Sequence, residues 1–168
     1  DVHMSRGLGD VYKRQALGWL HNSLDDYENA LAIWQMVQEI SLAINDDMGS
    51  ATAQLSLANA YRKLGESTAA IDLYEDAYRA YRELGDPNRA AFALEGLGNI
   101  YKSAQMDQEA IAIWREVLEI RRSMNDIEGV SNAMAALGRS YFQLGMEQEL
   151  ELVYPVSYTH LTLPTIGE

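Results

Sequence analysis

Apolar residues fall at helical spacing in short blocks along this chain, and the blocks recur at a fixed interval. The pentads LGWLH, LANAY, LGNIY and LGRSY begin at Leu17, Leu57, Leu97 and Leu137, each 40 residues after the one before. A second set keeps the same register at residues 30–34, 70–74, 110–114 and 150–154. There a small residue precedes an aromatic one by four positions, and Leu150 replaces the small residue in the last copy. The pattern predicts an all-α chain of antiparallel helix pairs. Gly18, Ala58, Gly98 and Gly138 on the first helix of each pair, with Ala30, Ala70 and Ala110 on the second, let the axes approach closely. Tyr61, Tyr101 and Tyr141, with Trp34, Tyr74 and Trp114, then fill the space between neighbouring pairs.

Polar residues punctuate the apolar blocks at the same interval. Asn45, Gly85 and Asn125 share one offset, and each can take the left-handed conformation that ends a helix. Asp46, Asp86 and Asp126 follow as N-caps of the next helix, with Pro87 at a first helical position, where its missing N–H costs nothing. Gly65 and Gly145 mark the turn inside a pair, and Ser67 and Asp107 are expected to cap second helices. First helices are therefore predicted at about 47–64, 87–104 and 127–144. Second helices follow at about 27–44, 67–84 and 107–124, with half-helices at 16–24 and 147–154.

The combined signature, L-[GA]-x-x-[YH] followed by A-x-x-x-[WY], resembles the tetratricopeptide repeat, a helix-turn-helix unit, over residues 16–154. The resemblance implies an α-solenoid with a right-handed superhelical course. The usual unit is about 34 residues long, so this chain is similar to the longer variety found in kinesin light chains, spindle-orientation adaptors and many bacterial regulators. The proline that commonly closes a unit is missing. HEAT repeats share this length but not the alanine-to-aromatic spacing.

The two ends do not fit the repeat. Residues 5–15, SRGLGDVYKRQ, resemble the translation of a tagmentation sequencing adaptor, and residues 156–165, VSYTHLTLPT, resemble its partner read in the opposite orientation. The plainer alternative is a natural basic N-terminal helix and a natural Thr-rich tail. On the adaptor reading, 1–15 and 155–168 are not native. The repeat array then spans 16–154, divided into a partial unit at 16–46, whole units at 47–86 and 87–126, and a partial unit at 127–154. Three basic residues (Arg6, Lys13 and Arg14) and three acidic ones fall outside the array, so the charge balance is unchanged.

Composition narrows the function classes. Twenty-five acidic residues against 13 basic ones give a net charge of −12, which disfavours nonspecific attraction to nucleic acid or anionic lipid. The chain has no cysteine, which removes disulfides, thiolate metal sites and cysteine nucleophiles. No apolar run approaches a membrane span, so the expected location is the cytoplasm. Neither a Walker loop, nor G-x-G-x-x-G, nor H-E-x-x-H occurs. His21 is the one histidine inside the array and occupies the offset of Tyr61, Tyr101 and Tyr141, so it reads as a packing residue. Asp25 and Asp26 beside it read as helix-opening acids rather than metal ligands. The expectation is a non-enzyme with no cofactor, no metal and no small-molecule substrate.

Binding of another protein fits the sequence better. By resemblance, the concave face of the solenoid is built by the first helices. Positions spaced 3, 4, 3 along them share a side: Thr52, Leu55, Asn59 and Arg62; Phe92, Glu95, Asn99 and Lys102; Asn132, Ala135, Arg139 and Phe142. These twelve hold three basic residues and one acid, whereas the second helices are rich in acids. The expected partner is thus an extended or acidic segment of a protein. Asn59 and Asn99 would bond its backbone, as the resemblance implies for the asparagine of LGNIY, while Arg62, Lys102 and Arg139 would meet carboxylates. Phe92 and Phe142 would supply apolar contact. The carboxylate clamp of chaperone-binding relatives is not implied, because the offsets counted from Asn59 hold Gly96, Asn132 and Ala136. A second reading is a regulatory segment of a larger multidomain protein, such as a transcription regulator or signalling ATPase.

Overall fold

The computed structural model describes residues 2–153, with side chains over 7–152. Tyr154 and the tail at 155–168 lie outside the described residues, as do the side chains of 1–6. The described chain forms eight helices and no strand: α1 (Val2–Ser23), α2 (Tyr27–Ala43), α3 (Asp47–Leu64), α4 (Ser67–Glu83), α5 (Pro87–Ser103), α6 (Asp107–Ser123), α7 (Ile127–Gln143) and α8 (Glu147–Val153). Each helix packs chiefly on its neighbours in sequence, which makes an α-solenoid rather than a closed bundle. Helices α2 to α8 fall where the 40-residue pattern predicts them.

α1 is longer than the expected half-helix at 16–24, because the helix continues unbroken through Gln15 and Ala16 back to Val2. Val11 and Gln15 explain how the extension packs. They stand 40 residues before Ala51 and Leu55, so they meet α2 at the register an apolar first helix uses. Val11 is wholly buried with Ala30, Trp34 and Val37, and Gln15 is buried as well.

The seven turns share one geometry at 20-residue intervals. Asp25, Asn45, Gly65, Gly85, Gln105, Asn125 and Gly145 all have positive φ. After each, a backbone N–H reaches back to close the helix end, as from Asp46 to the Ser41 carbonyl and from Glu66 to the Tyr61 carbonyl. Two of these residues differ from their sequence reading or go unnoticed by it. Asp25 does not open α2 but ends the turn before it, and Gln105 holds the position that glycine takes in Gly65 and Gly145.

Caps divide by turn type. At the outer turns Asp46, Asp86 and Asp126 accept from the N–H of Gly49, Arg89 and Gly129 at 2.9–3.0 Å. At the inner turns the expected caps Ser67 and Asp107 are instead the first helical residues. Glu66 and Met106 stand at the cap positions and make no side-chain cap bond. Asp107 is drawn off by Lys102, whose Nζ lies 2.7 Å from its carboxylate.

Small residues admit the aromatics as the spacing predicts. A Cβ on Gly18 would stand 2.6 Å from the Trp34 ring, and one on Gly98 2.7 Å from Trp114. Gly96 is equally closed, because Tyr74 already lies 2.3 Å from where its Cβ would be. Three clusters built around Trp34, around Tyr74 with Tyr81, and around Trp114 with Tyr141 form the core.

Candidate functional site

First helices of successive units approach at α1 with α3 and α3 with α5, and the second helices α4 and α6 are joined by the Tyr78 hydroxyl, which donates to the Glu116 carboxylate. The first helices share one side of the array. Their 3, 4, 3 rows provide the side chains on that side.

The seven candidate residues do not share one condition. Asn59 is half-buried and engaged at both ends of its amide: Nδ2 donates to the Leu55 carbonyl at 2.9 Å, and Oδ1 accepts from the Tyr74 hydroxyl at 2.7 Å. Arg62 donates through Nε to the same hydroxyl at 3.1 Å. Burial holds the Tyr74 phenol above its ordinary pKa, with Arg62 pulling the other way. Lys102 is paired with Asp107, which lowers the Asp107 pKa. Asn99, Arg139 and Phe142 are exposed, with no carboxylate on Arg139 among the described residues, and Phe142 keeps 72% of its surface. Phe92 is half-exposed, and one face of its ring is covered by the Arg121 guanidinium at 4.6 Å.

Arg121 is the residue the sequence reading missed. It lies on α6 with only 3% of its surface exposed. Its Nε and Nη2 donate to Glu95 Oε1 at 3.0 and 2.7 Å, and its Nη1 donates to Asn88 Oδ1 at 2.6 Å and Asp126 Oδ2 at 3.1 Å. One side chain thus ties α5, α6 and the cap of α7 together. The signal was present in the repeat, since the same offset holds Ser41 and Tyr81, both buried. A Cβ on Gly129 would stand 2.4 Å from Arg121 Cδ, so the glycine makes room for the long stem.

Two clefts open on this side. A cavity of about 510 Å³ is bordered by Trp19, Leu55, Asn59, Arg62, Lys63 and Arg89, among others. A smaller one, about 230 Å³, is bordered by Asn88, Phe92, Glu95, Arg121, Glu128 and Asn132, among others. Trp19 stands 53% exposed and packs edge-on against Trp34, with ring centres 5.8 Å apart.

Reactive chemistry is sparse. His21 Nδ1 lies 2.8 Å from Asp26 Oδ2 and ties the end of α1 to the start of α2. The Asp26 pKa is lowered, first by the Asn29 side chain and then by His21. Among the described residues no three His, Cys, Asp or Glu side chains gather as a metal site. No described helix is long and apolar enough to cross a membrane.

A family model described as tetratricopeptide repeat matches residues 4–83, and a second of the same description matches residues 93–128. No curated protein matches the sequence. Among solved structures, BtubC (BKLC) from P. vanneervenii superposes with a TM-score of 0.77 at 20% identity, covering 86% of this chain and 60% of that one. The chain thus spans about 60% of the length of BtubC, and the likeness is one of fold. A Podosopora anserina kinesin-light-chain structure with nearly identical TPR-like repeats gives 18% identity over 85% of this chain and 90% of that chain, at a TM-score of 0.41. A variant of it gives 18% over 90% and 92%, at 0.43.

Proposed function

Because this chain carries tetratricopeptide repeats stacked as a solenoid, we propose that it is a non-catalytic scaffold that holds an extended segment of a partner protein along the inner side of its first helices. The observation that carries this reading is the set of groups on that side which the fold does not use. Asn99 offers an amide, Arg139 a charge and Phe142 an open ring, and Phe92 offers the uncovered face of its own ring. An extended segment has unpaired backbone groups along its length and side chains on both sides. A row of amides and rings spaced by successive helices answers both needs.

The roles within the candidate set are unequal. Asn99, Arg139, Phe142 and Phe92 are the contact residues, whereas Asn59, Arg62 and Lys102 line the surface while serving Tyr74 and Asp107. A peptide-display selection on the whole chain supplies the probe. The double change Asn99→Ala, Phe142→Ala is expected to weaken capture of the selected peptide at least about tenfold, as loss of an aromatic anchor does, with the thermal midpoint unchanged. Unaltered capture would overturn the proposal.

A further inference from the structure

The two clefts on the first-helix side carry opposite charge. The larger is lined by Arg62, Lys63 and Arg89 against the single carboxylate of Asp25. That carboxylate accepts from the Tyr27 hydroxyl. Lys63 has no carboxylate partner among the described residues and stands 6.0 Å from the centre of the Tyr27 ring. Arg62 spends only Nε on Tyr74, so both terminal nitrogens remain for a ligand. Arg89 is held by Asp86 at 3.1 Å. The smaller cleft is lined by Glu95, Asp126 and Glu128 against Arg121 alone. Arg121 binds only one oxygen of Glu95, and Glu128 is exposed with no cationic partner among the described residues. The clefts adjoin at the first turn of α5, where Arg89 borders one and Asn88 the other. Phe92 stands one turn further along, half-exposed.

From this reversal we infer that the groove is polarised and takes a dipolar partner segment in one direction only, acidic side chains between α1 and α3, an apolar side chain on Phe92, and a basic side chain between α5 and α7. The inference rests on the proposed use of the inner side and adds the chemistry and direction of the occupant. A uniformly acidic segment suits the first cleft and is repelled at the second, where like charges meet at close range. A basic side chain at the second cleft gains the free oxygen of Glu95, the carboxylate of Glu128 and the open face of Phe92. The two ends therefore select for each other, which a single basic patch would not do.

Four synthetic peptides test this by fluorescence anisotropy on the whole chain at low ionic strength. One carries a Glu triplet, a Gly-Ser spacer with one Trp, and a Lys triplet; the second is its reverse; the third is all-Glu and the fourth all-Lys around the same spacer. One dipolar orientation is expected to bind tightest, and its lead over the others to shrink in high salt. Glu128→Lys should weaken that peptide about threefold and tighten the all-Glu one by a similar factor, and Lys63→Glu should weaken both, the magnitudes being those of exposed charge contacts. Both changed side chains are exposed and outside the core, so thermal unfolding serves as the folding control. Equal binding of the two orientations, with the all-Glu peptide tightest and indifferent to Glu128→Lys, would overturn the polarity and leave the groove reading standing. Failure of all four to bind would sink the groove reading, and the polarity with it.

Discussion

Two first helices present asparagine at the same register, yet the residues do different work. On α3, the Asn59 amide is spent on the Leu55 carbonyl and the Tyr74 hydroxyl, and Arg62 gives its Nε to the same hydroxyl. On α5, Asn99 is exposed and its side chain serves nothing in the fold. The cause lies on the second helix. Tyr74 carries a hydroxyl at the far end of its ring into a nearly closed interior, and a buried hydroxyl must find partners. Trp114, at the same place in the next unit, lies over Gly98 and ends without a hydroxyl. The aromatic on the second helix thus decides whether the asparagine on the first belongs to the core or to the groove.

The contrast can be broken most strongly where a buried charge supports the α5 side. Arg121→Ala removes the one cation facing Glu95, Asp126 and Asn88 and strips a face of Phe92. We expect a loss of about 3 kcal/mol, at the lower end for a broken buried pair because both carboxylates keep some contact with water. Arg139→Ala, on the exposed row of α7, should stay within about 0.5 kcal/mol. Urea unfolding of both variants measures the difference, and equal losses would mean that Arg121 is not the tie between the third and fourth units.

The asparagines come next. Asn59→Ala leaves the Tyr74 hydroxyl with Arg62 alone and should cost about 1–2 kcal/mol, whereas Asn99→Ala should be close to neutral. Peptide capture should respond in the opposite order. If Asn59→Ala unfolds at the wild-type midpoint, Tyr74 does not need it and the assignment of Asn59 to the core fails.

Tyr74 also sets a pH dependence. Burial raises the phenol pKa of Tyr74 and of Tyr81 in the folded chain. The unfolded tyrosine ionises near pH 10, so above that pH the unfolded chain holds fewer protons than the folded one. Stability is then fully present below about pH 10 and falls as the pH rises past it. Tyr74→Phe should flatten that alkaline slope in urea titrations while leaving the slope near neutral pH alone. It should also free Asn59 and Arg62, so that α3 comes to behave like α5.

Most of the architecture was legible because it is written as a period. Five of the seven turn residues, three aspartate caps and the glycines opposite Trp34 and Trp114 are local chemistry repeated, and repetition exposes them without a structure. The site was legible only as a row of residues. Register shows that Asn59, Asn99 and Arg139 share a face, but not that Tyr74 consumes the first of them, because that bond spans two helices and depends on where a hydroxyl lands. Arg121 escaped for a related reason: an arginine at the end of a helix reads as solvated charge until Asn88, Glu95 and Asp126 from two other helices are seen around it. Ser67 and Asp107 failed as caps because the turn closes through the backbone one residue earlier.

Gln105 offers the smallest effect and isolates the turn from the groove. It holds φ of 60° where Gly65 and Gly145 stand in corresponding turns. The left-handed conformation costs a side-chain-bearing residue about 1–2 kcal/mol, and glycine gives part of that back in the greater freedom of its unfolded chain. Gln105→Gly should therefore raise stability by about 0.5–1 kcal/mol. Asp25→Gly should gain less, since Asp25 accepts from the Tyr27 hydroxyl and that bond would be lost. Gly65→Ala, the reverse change at φ 85°, should destabilise the chain by a comparable amount. Gln105 lies in a turn away from Asn99, Arg139 and Phe142, so peptide capture should not move with Gln105→Gly, whereas Asp25→Gly removes the one carboxylate lining the basic cleft and should tighten an acidic segment. Stability gained with capture unchanged would place the strain in the turn alone; a neutral Gln105→Gly would show that the glutamine is held there by contacts that offset its backbone cost.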